Sequence, residues 1–380
     1  MAATQDPLPE ADRLEGAPHP RETARLYGHG LAEAEFLAAH ARGRLHHAWM
    51  LTGPRGLGKA TLAWRIARFL LATPADDGGG LFGAPPPPES LDIDPEHPVA
   101  RRMRALAEPR LFLLRRGANK TGSALSQVIT VEEVRALKKF FALSAADGGA
   151  RVAIIDSIDE MNPSAANALL KVLEEPPPGV TFLLISHQPA RLLPTIRSRC
   201  RELRLLPLSP EDMAHALDQA GGAIDPDQAV ALSELAGGSA GEAFRLTNLD
   251  GLAAYAALLR LFRDLPRLDR TRVIALAEAA AARGNPEAFD LTLTLIDLFL
   301  ARLSRAAVSR QTPPEAGPGE AELFARLAPD TRAALIWADL AQNLTQRARR
   351  GKAVNLDPAA LLMDMLFRID ETAGHLATAG

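Results

Sequence analysis

The 380-residue sequence holds a single cysteine, Cys200, so no disulfide can close within the chain and no cysteine-rich zinc site can form. Aromatics are scarce at 5%. No apolar stretch reaches membrane-spanning length without a charge, so no membrane partner is expected. Basic charge is not in excess: 43 Lys and Arg against 46 Asp and Glu leave a formal net charge of −3. That balance disfavours a stand-alone nucleic-acid binder, while leaving room for a local basic face. The N-terminus lacks the basic-then-apolar pattern of a secretion signal, and the expected location is cytoplasmic. What is present is ordinary for a globular protein, 47% hydrophobic and 23% charged, with helix-favouring Ala, Leu and Arg prominent and enough length for two or three domains.

Residues 53–61, Gly-Pro-Arg-Gly-Leu-Gly-Lys-Ala-Thr, form a phosphate-binding loop that also lacks something. Gly53, Gly58 and Lys59 fill the pattern G-x-x-x-x-G-K-[ST], but Ala60 stands where a hydroxyl should hold Mg²⁺. The apolar run 47–51 precedes the loop, and Leu62, Ile66, Phe69 and Leu70 follow at helical spacing, giving strand, loop and helix in order. The glycines, Gly56 among them, let backbone N–H groups turn inward on a phosphate, and Lys59 would reach its oxygens. Thr61 does not replace the missing hydroxyl, because one residue along a helix points roughly 100° away.

Further strands are expected at Leu111–Leu114, Arg151–Asp156, Val180–Ser186 and Arg201–Leu205, alternating with helices, which gives a parallel α/β sheet. Thr130 and Glu133 form a capping box opening a helix through Ser144, and a helix from Pro163 stops at the prolines 176–178. Residues 1–20 read as a disordered lead-in, and 73–100, with its Gly and Pro runs, as a flexible inserted loop. After Leu208 strand signals end. Ser209 caps a helix, and a small helical unit runs to about 250. Four or five further helices fill 251–372, interrupted by the loop at 312–319.

Asp156, at a strand end, suits a Walker B aspartate, the natural second partner of a nucleotide's metal. The alternative is an aspartate that caps the turn after the strand. In either case Ser157 follows where a hydrolysing site needs glutamate. His187 can contact a γ-phosphate or simply belong to its loop. Arg199, in Ser198-Arg199-Cys200, allows two readings as well: a guanidinium reaching a neighbouring subunit's nucleotide, or one tying down its own loop. Cys200 has no local base to make it a nucleophile.

Three segments, His47–Thr61, Asn167–Pro177 and Thr195–Cys200, resemble bacterial clamp-loader subunits of the AAA+ class across the first ~208 residues. Asn355–Pro358 resembles the end of that family's collar more weakly. The resemblance implies an AAA+ P-loop domain over 21–208, a helical lid over 209–250 and an oligomerising all-α collar over 251–375. It implies that Arg199 is an arginine finger serving ATP on an adjacent gamma/tau protomer. The implied partners are gamma/tau and delta subunits and, through the complex, the sliding clamp and primed DNA. The lid stretch Gly238-Ser239-Ala240-Gly241 lacks the motor's sensor arginine, a third loss beside Ala60 and Ser157. Little or no ATPase is therefore expected. No cofactor is required, although Gly53, Gly56, Gly58, Lys59, Thr61 and Asp156 could hold ATP or ADP weakly. Any enzymatic label would come through membership of the DNA-directed DNA polymerase III holoenzyme. Many relatives carry a four-cysteine zinc module, but residues 73–125 contain no cysteine, and no zinc is expected. The alternatives are a gamma/tau-like ATP-hydrolysing motor and a DNA-binding module on a retired AAA+ fold.

Overall fold

The computed structural model describes residues 10–43, 45–73, 88–119, 121–143, 149–222, 225–282, 286–309 and 313–379. The chain divides into two compact units. One runs to Gly221 and includes Ser239–Gly241; the other comprises Gly222–Gly238 and the residues from Glu242 on.

The first unit opens with α1 (Gly30–Ala41), β1 (Ala48–Thr52) and α2 (Lys59–Ala72). It continues with α3 (Pro98–Arg104), β2 (Leu111–Arg115), α4 (Val131–Leu143) and β3 (Arg151–Asp156). After these come α5 (Pro163–Glu174), β4 (Val180–Ser186), α6 (Pro194–Arg197), β5 (Arg201–Arg204) and α7 (Pro210–Gln219). All five strands are parallel, in the order β2-β3-β4-β1-β5. The expected α/β parallel sheet is therefore present, with strand bounds within a residue of those read from the apolar runs.

Strand periodicity divides the core in two. Trp49, Leu51, Val152, Ile154, Leu183, Ile185 and Leu203 face α1, α2 and α3, where Phe36, Trp64 and Ile66 are buried. Ala48, Met50, Ala153, Ile155, Phe182 and Leu184 face α4 and α5, against Leu137, Leu169 and Leu173. Side chains that alternate across a sheet covered on both faces leave almost no position for a polar residue. Polar groups consequently collect where the strands end. The register sets Thr52 beside Ser186 and Arg115 beside Asp156, so the P-loop and the Asp156 carboxylate share the C-terminal edge of the sheet. Such edges are where open α/β sheets bind ligands.

Some local expectations change. Of the Gly/Pro stretch 73–100, residues 74–87 lie outside the described residues; beyond them Leu91 is buried and α3 begins at Pro98. Residues 10–20, read as part of a disordered lead-in, instead dock on the first unit. His19 is fully buried, with Asp12 3.1 Å from its Nε2 and the Trp64 ring edge-on at 5.8 Å. Glu10 pairs with Arg21 at 2.7 Å and Arg115 at 3.1 Å, and Asp12 also pairs with Arg115. Residues 1–9 lie outside the described residues. The helix α7 packs with the first unit: His215 stacks on Tyr27 at 5.4 Å, and Gln219 exchanges two 2.9 Å hydrogen bonds with the Arg25 backbone.

The second unit contains α8 (Pro226–Ala236), most of α9 (Ala240–Asn248), α10 (Gly251–Phe262), α11 (Arg270–Ala280) and α12 (Pro286–Ser309). It ends with α13 (Glu320–Leu327), α14 (Thr331–Ala353) and α15 (Pro358–Ala379). Beyond residue 250 there are thus six described helices where four or five were expected. Tyr255, Phe262, Phe299, Phe324 and Trp337 are buried there, with Phe299 against Phe262 at 4.6 Å and Phe324 at 5.6 Å. One charged cluster is buried among them. The Arg302 guanidinium is bound to Glu320 at 2.8 and 2.9 Å and to Glu234 at 2.7 Å, while Glu320 also accepts from Tyr255 Oη at 2.5 Å and Ala316 N at 2.7 Å. No described helix is long and apolar enough to cross a membrane.

Candidate functional site

The P-loop turns from β1 into α2 through backbone that only glycine adopts readily. Gly56 has φ +80° and Gly58, the cap of α2, has φ +91°. Lys59 is the first residue of the helix and only 3% exposed. Its ammonium donates to the carbonyls of Gly53 (2.6 Å) and Pro54 (2.5 Å), so the lysine is folded onto its own loop. Burial lowers its pKa to about 8, against the pull of Asp156 and Asp159, leaving it mostly protonated at neutral pH. Ala60 packs against the apolar cluster beneath, and Thr61 is buried on α2.

Asp156 ends β3. Burial pushes its carboxyl up to about 7, and repulsion from Asp12 and Glu160 adds to the rise against attraction from Lys59 and Arg55. A metal site needs this carboxyl ionised and an oxygen at position 60. The chain supplies the carboxyl but only a methyl group at position 60, so the donor set fits Mg²⁺ poorly. Ser157 is buried, and its hydroxyl has no hydrogen-bond partner among the described residues.

The two carboxylates farther along are both occupied. Asp159 accepts from Ser186 Oγ (2.9 Å) and from the backbone N–H groups of His187 (2.6 Å) and Gln188 (3.2 Å), clamping the end of β4. Glu160 pairs with Arg116 at 2.7 Å and Arg55 at 3.3 Å. Neither is free to polarise a water as a general base. His187 shares the charge environment of Lys59 and Arg55. Burial first, then those two cations, lower its pKa to about 4, and the ring is neutral at pH 7.

The absence at position 241 has a steric counterpart. Gly241 N donates to the Gly56 carbonyl at 2.9 Å, and Ser239 Oγ donates to the Arg55 carbonyl at 2.9 Å. A Cβ on Gly241 would lie 2.8 Å from Gly56 Cα, and one on Gly56 would lie 2.3 Å from Ser239 Oγ. Glycine meets glycine backbone to backbone, and an arginine at 241 does not fit this junction.

Arg199 follows α6, ahead of β5, and its side chain is about one-third exposed. Nη1 donates to the Thr195 carbonyl at 2.7 Å, and Nη2 lies 2.8 Å from Glu174 Oε1. Beside it burial pushes the Cys200 thiol up to about 12, the state of an inert buried cysteine. The structure thus gathers Gly53, Gly56, Gly58, Lys59, Asp156 and His187 at one strand edge and gives Arg199 its own contacts at the end of α5. Sequence reasoning missed the Asp159 clamp, the Asp12 carboxylate near Asp156, and Glu174 as partner of Arg199. Only Glu174 carried a signal, because it lies in the Asn167–Pro177 segment.

The family model described as "DNA polymerase III, delta subunit" matches residues 29–209. The DNA polymerase III subunit delta-prime of Pseudomonas aeruginosa is 34% identical over 248 residues, 64% of this chain and 68% of that protein. The chain belongs to the delta-prime family of DNA polymerase III clamp-loader subunits. The Escherichia coli delta-prime subunit is 28% identical over 88% of this chain and 92% of its own length. The gamma subunit of Buchnera aphidicola is 30% identical over 54% of this chain, which spans about half (51%) of that relative. Among solved structures, a DNA polymerase III gamma-subunit-related protein of Thermotoga maritima is 16% identical, covering 89% of this chain and 99% of its own at a TM-score of 0.34. A RuvB variant from the same organism is 18% identical, covering 80% and 85% at 0.35.

Proposed function

We propose that this clamp-loader subunit turns over little or no ATP itself and supplies Arg199 as an arginine finger to ATP bound by an adjacent gamma/tau protomer. The observation that carries the reading is a contrast between two sites on one chain. At the P-loop, Ala60, Ser157 and Gly241 remove the metal hydroxyl, the base and the sensor cation, and Asp159 and Glu160 are committed elsewhere. Just past the end of α6, the planar Arg199 guanidinium is about one-third exposed at the surface. Charge developing on a transferred phosphoryl group is what such a guanidinium stabilises.

In this reading residues 21–208 serve as the AAA+ domain, 209–250 as the lid and 251–375 as the oligomerising collar. Gamma/tau and delta subunits are the direct partners, in the cytoplasm, and the sliding clamp and primed DNA are met through the complex. Any ATP or ADP on Gly53, Gly56, Gly58, Lys59, Thr61 and Asp156 is held weakly, because Lys59 must first leave the Gly53 and Pro54 carbonyls.

The test is ATP turnover in a reconstituted loader carrying Arg199→Ala. The expected result is loss of clamp- and DNA-stimulated turnover at the neighbouring site, on the order of 10³-fold or more, as for trans-acting arginines of GTPases. Stimulated turnover equal to the wild type refutes the finger.

A further inference from the structure

Arg199 is anchored on its own subunit by two groups that share one electrostatic character. Thr195, whose carbonyl accepts from Nη1, lies in the short helix α6; Glu174, which faces Nη2, is the last residue of α5. Carbonyls at a helix C-terminus carry partial negative charge, which attracts a cation and disfavours a carboxylate. Glu174 and Glu175 therefore end α5 in the wrong sign, and the prolines 176–178 prevent the helix from continuing past them. Lys171 is the basic residue of the helix's own last turn, and Arg199 brings a second positive charge to this end, directly onto Glu174.

The same contacts oppose the use of Arg199 elsewhere. A guanidinium grips a phosphate through two adjacent N–H groups of a planar fork. Here each Nη already has one donor committed. The Glu174 carboxylate, 2.8 Å away, also repels any phosphate oxygen approaching the same edge.

We propose that Glu174 is a positioning residue that holds Arg199 in an off position, releasing it when a neighbouring subunit's nucleotide phosphates are brought close enough to outcompete the carboxylate. This rests on the arginine-finger reading above. Glu174 touches neither nucleotide nor reacting atoms; it sets how often Arg199 is available to them. The side chains are 33% and 42% exposed, so solvent screens the pair and the population it controls is modest. The device suppresses turnover before the loader closes and leaves the closed state nearly unaffected.

The experiment compares basal ATP turnover, without clamp or DNA, and stimulated turnover in reconstituted loaders carrying Glu174→Gln, Glu174→Asp, Arg199→Ala, or Glu174→Gln with Arg199→Ala. Glu174→Gln is expected to raise basal turnover about two- to fivefold, the range for an exposed ion pair, with stimulated turnover close to the wild type. Glu174→Asp, which keeps the charge, is expected to bring basal turnover back toward the wild type. In the double variant the rise disappears, since no arginine is left to release. Basal turnover unchanged or lowered by Glu174→Gln, in a loader whose stimulated turnover still depends on Arg199, overturns the holding role and leaves the finger standing. Stimulated turnover indifferent to Arg199→Ala overturns both.

Discussion

Replacing Gly241 by alanine sets two effects of opposite sign against each other. Gly241 lies in the first turn of α9 with no positive φ, so helix propensity alone predicts that alanine stabilises by about 0.5–1 kcal/mol. Against this, the new Cβ would sit 2.8 Å from Gly56 Cα, well inside the roughly 3.5–4 Å at which carbon atoms pack. The obstacle is backbone and has no rotamer to change. Relief requires moving 239–241 away from the P-loop, which breaks the 2.9 Å bonds from Gly241 N to Gly56 and from Ser239 Oγ to Arg55. Two such bonds at 0.5–1.5 kcal/mol each cost about 1–3 kcal/mol, similar to the strain of overpacking. The clash therefore wins, with a net destabilisation of about 1–2 kcal/mol. For a unit of this size that lowers the melting temperature by roughly 2–8 °C. Calorimetric melting of the full chain reads the shift, and amide exchange at Gly241 should quicken in the variant. A variant that melts above the wild type refutes the junction, because propensity would then be acting unopposed.

Glu320→Ala should be far more damaging than a surface change. It leaves the Arg302 guanidinium, 3% exposed, without two of its bonds and removes the acceptor of Tyr255, at a cost of about 3–5 kcal/mol. Denaturant unfolding of the second unit checks this, and a loss below 1 kcal/mol contradicts it. Cys200 should react slowly with a disulfide reagent at pH 8. With its pKa near 12 its thiolate fraction is on the order of 10³-fold below that of an ordinary cysteine, so labelling should accelerate sharply on adding denaturant. Equal rates in native and unfolded chains would contradict the burial. Alkali near the shifted pKa is expected to bring the native rate up.

The sheet was legible because β1 to β4 are largely apolar runs, as burial on both faces demands, while the edge strand β5 carries only Leu203 between charged residues. The P-loop was legible for a related reason: three glycines and a lysine at fixed spacing encode backbone geometry directly. Contacts formed across long sequence separations were not. Asp12 and Glu10 meet Arg115 more than a hundred residues away, and nothing in the proline-bearing lead-in marks them as buried partners. Asp159 lies past the end of β3, in no motif that residue spacing marks. Its role became visible only once β4 was seen to end within reach of it. The short α3 was missed because it follows directly on a Gly/Pro run, and seven residues carry too few turns for a clear 3.6-residue period. Gly241 was recognised as a missing arginine. That glycine is needed there for close approach to Gly56 follows from the backbone path alone.

The glycine junction also bears on the history open to this chain. A lost catalytic residue is usually imagined as recoverable by one reverse substitution. Here the return of arginine at 241 must push the P-loop aside, and glutamate at 157 must enter a position that is 2% exposed. Threonine at 60 must place its hydroxyl where Ala60 now rests against the core. Each of these substitutions is expected to weaken the fold at its own position. In the proposed reading the close-packed P-loop then serves as framework, and Arg199 and its surroundings are where substitutions change function without first disturbing the fold.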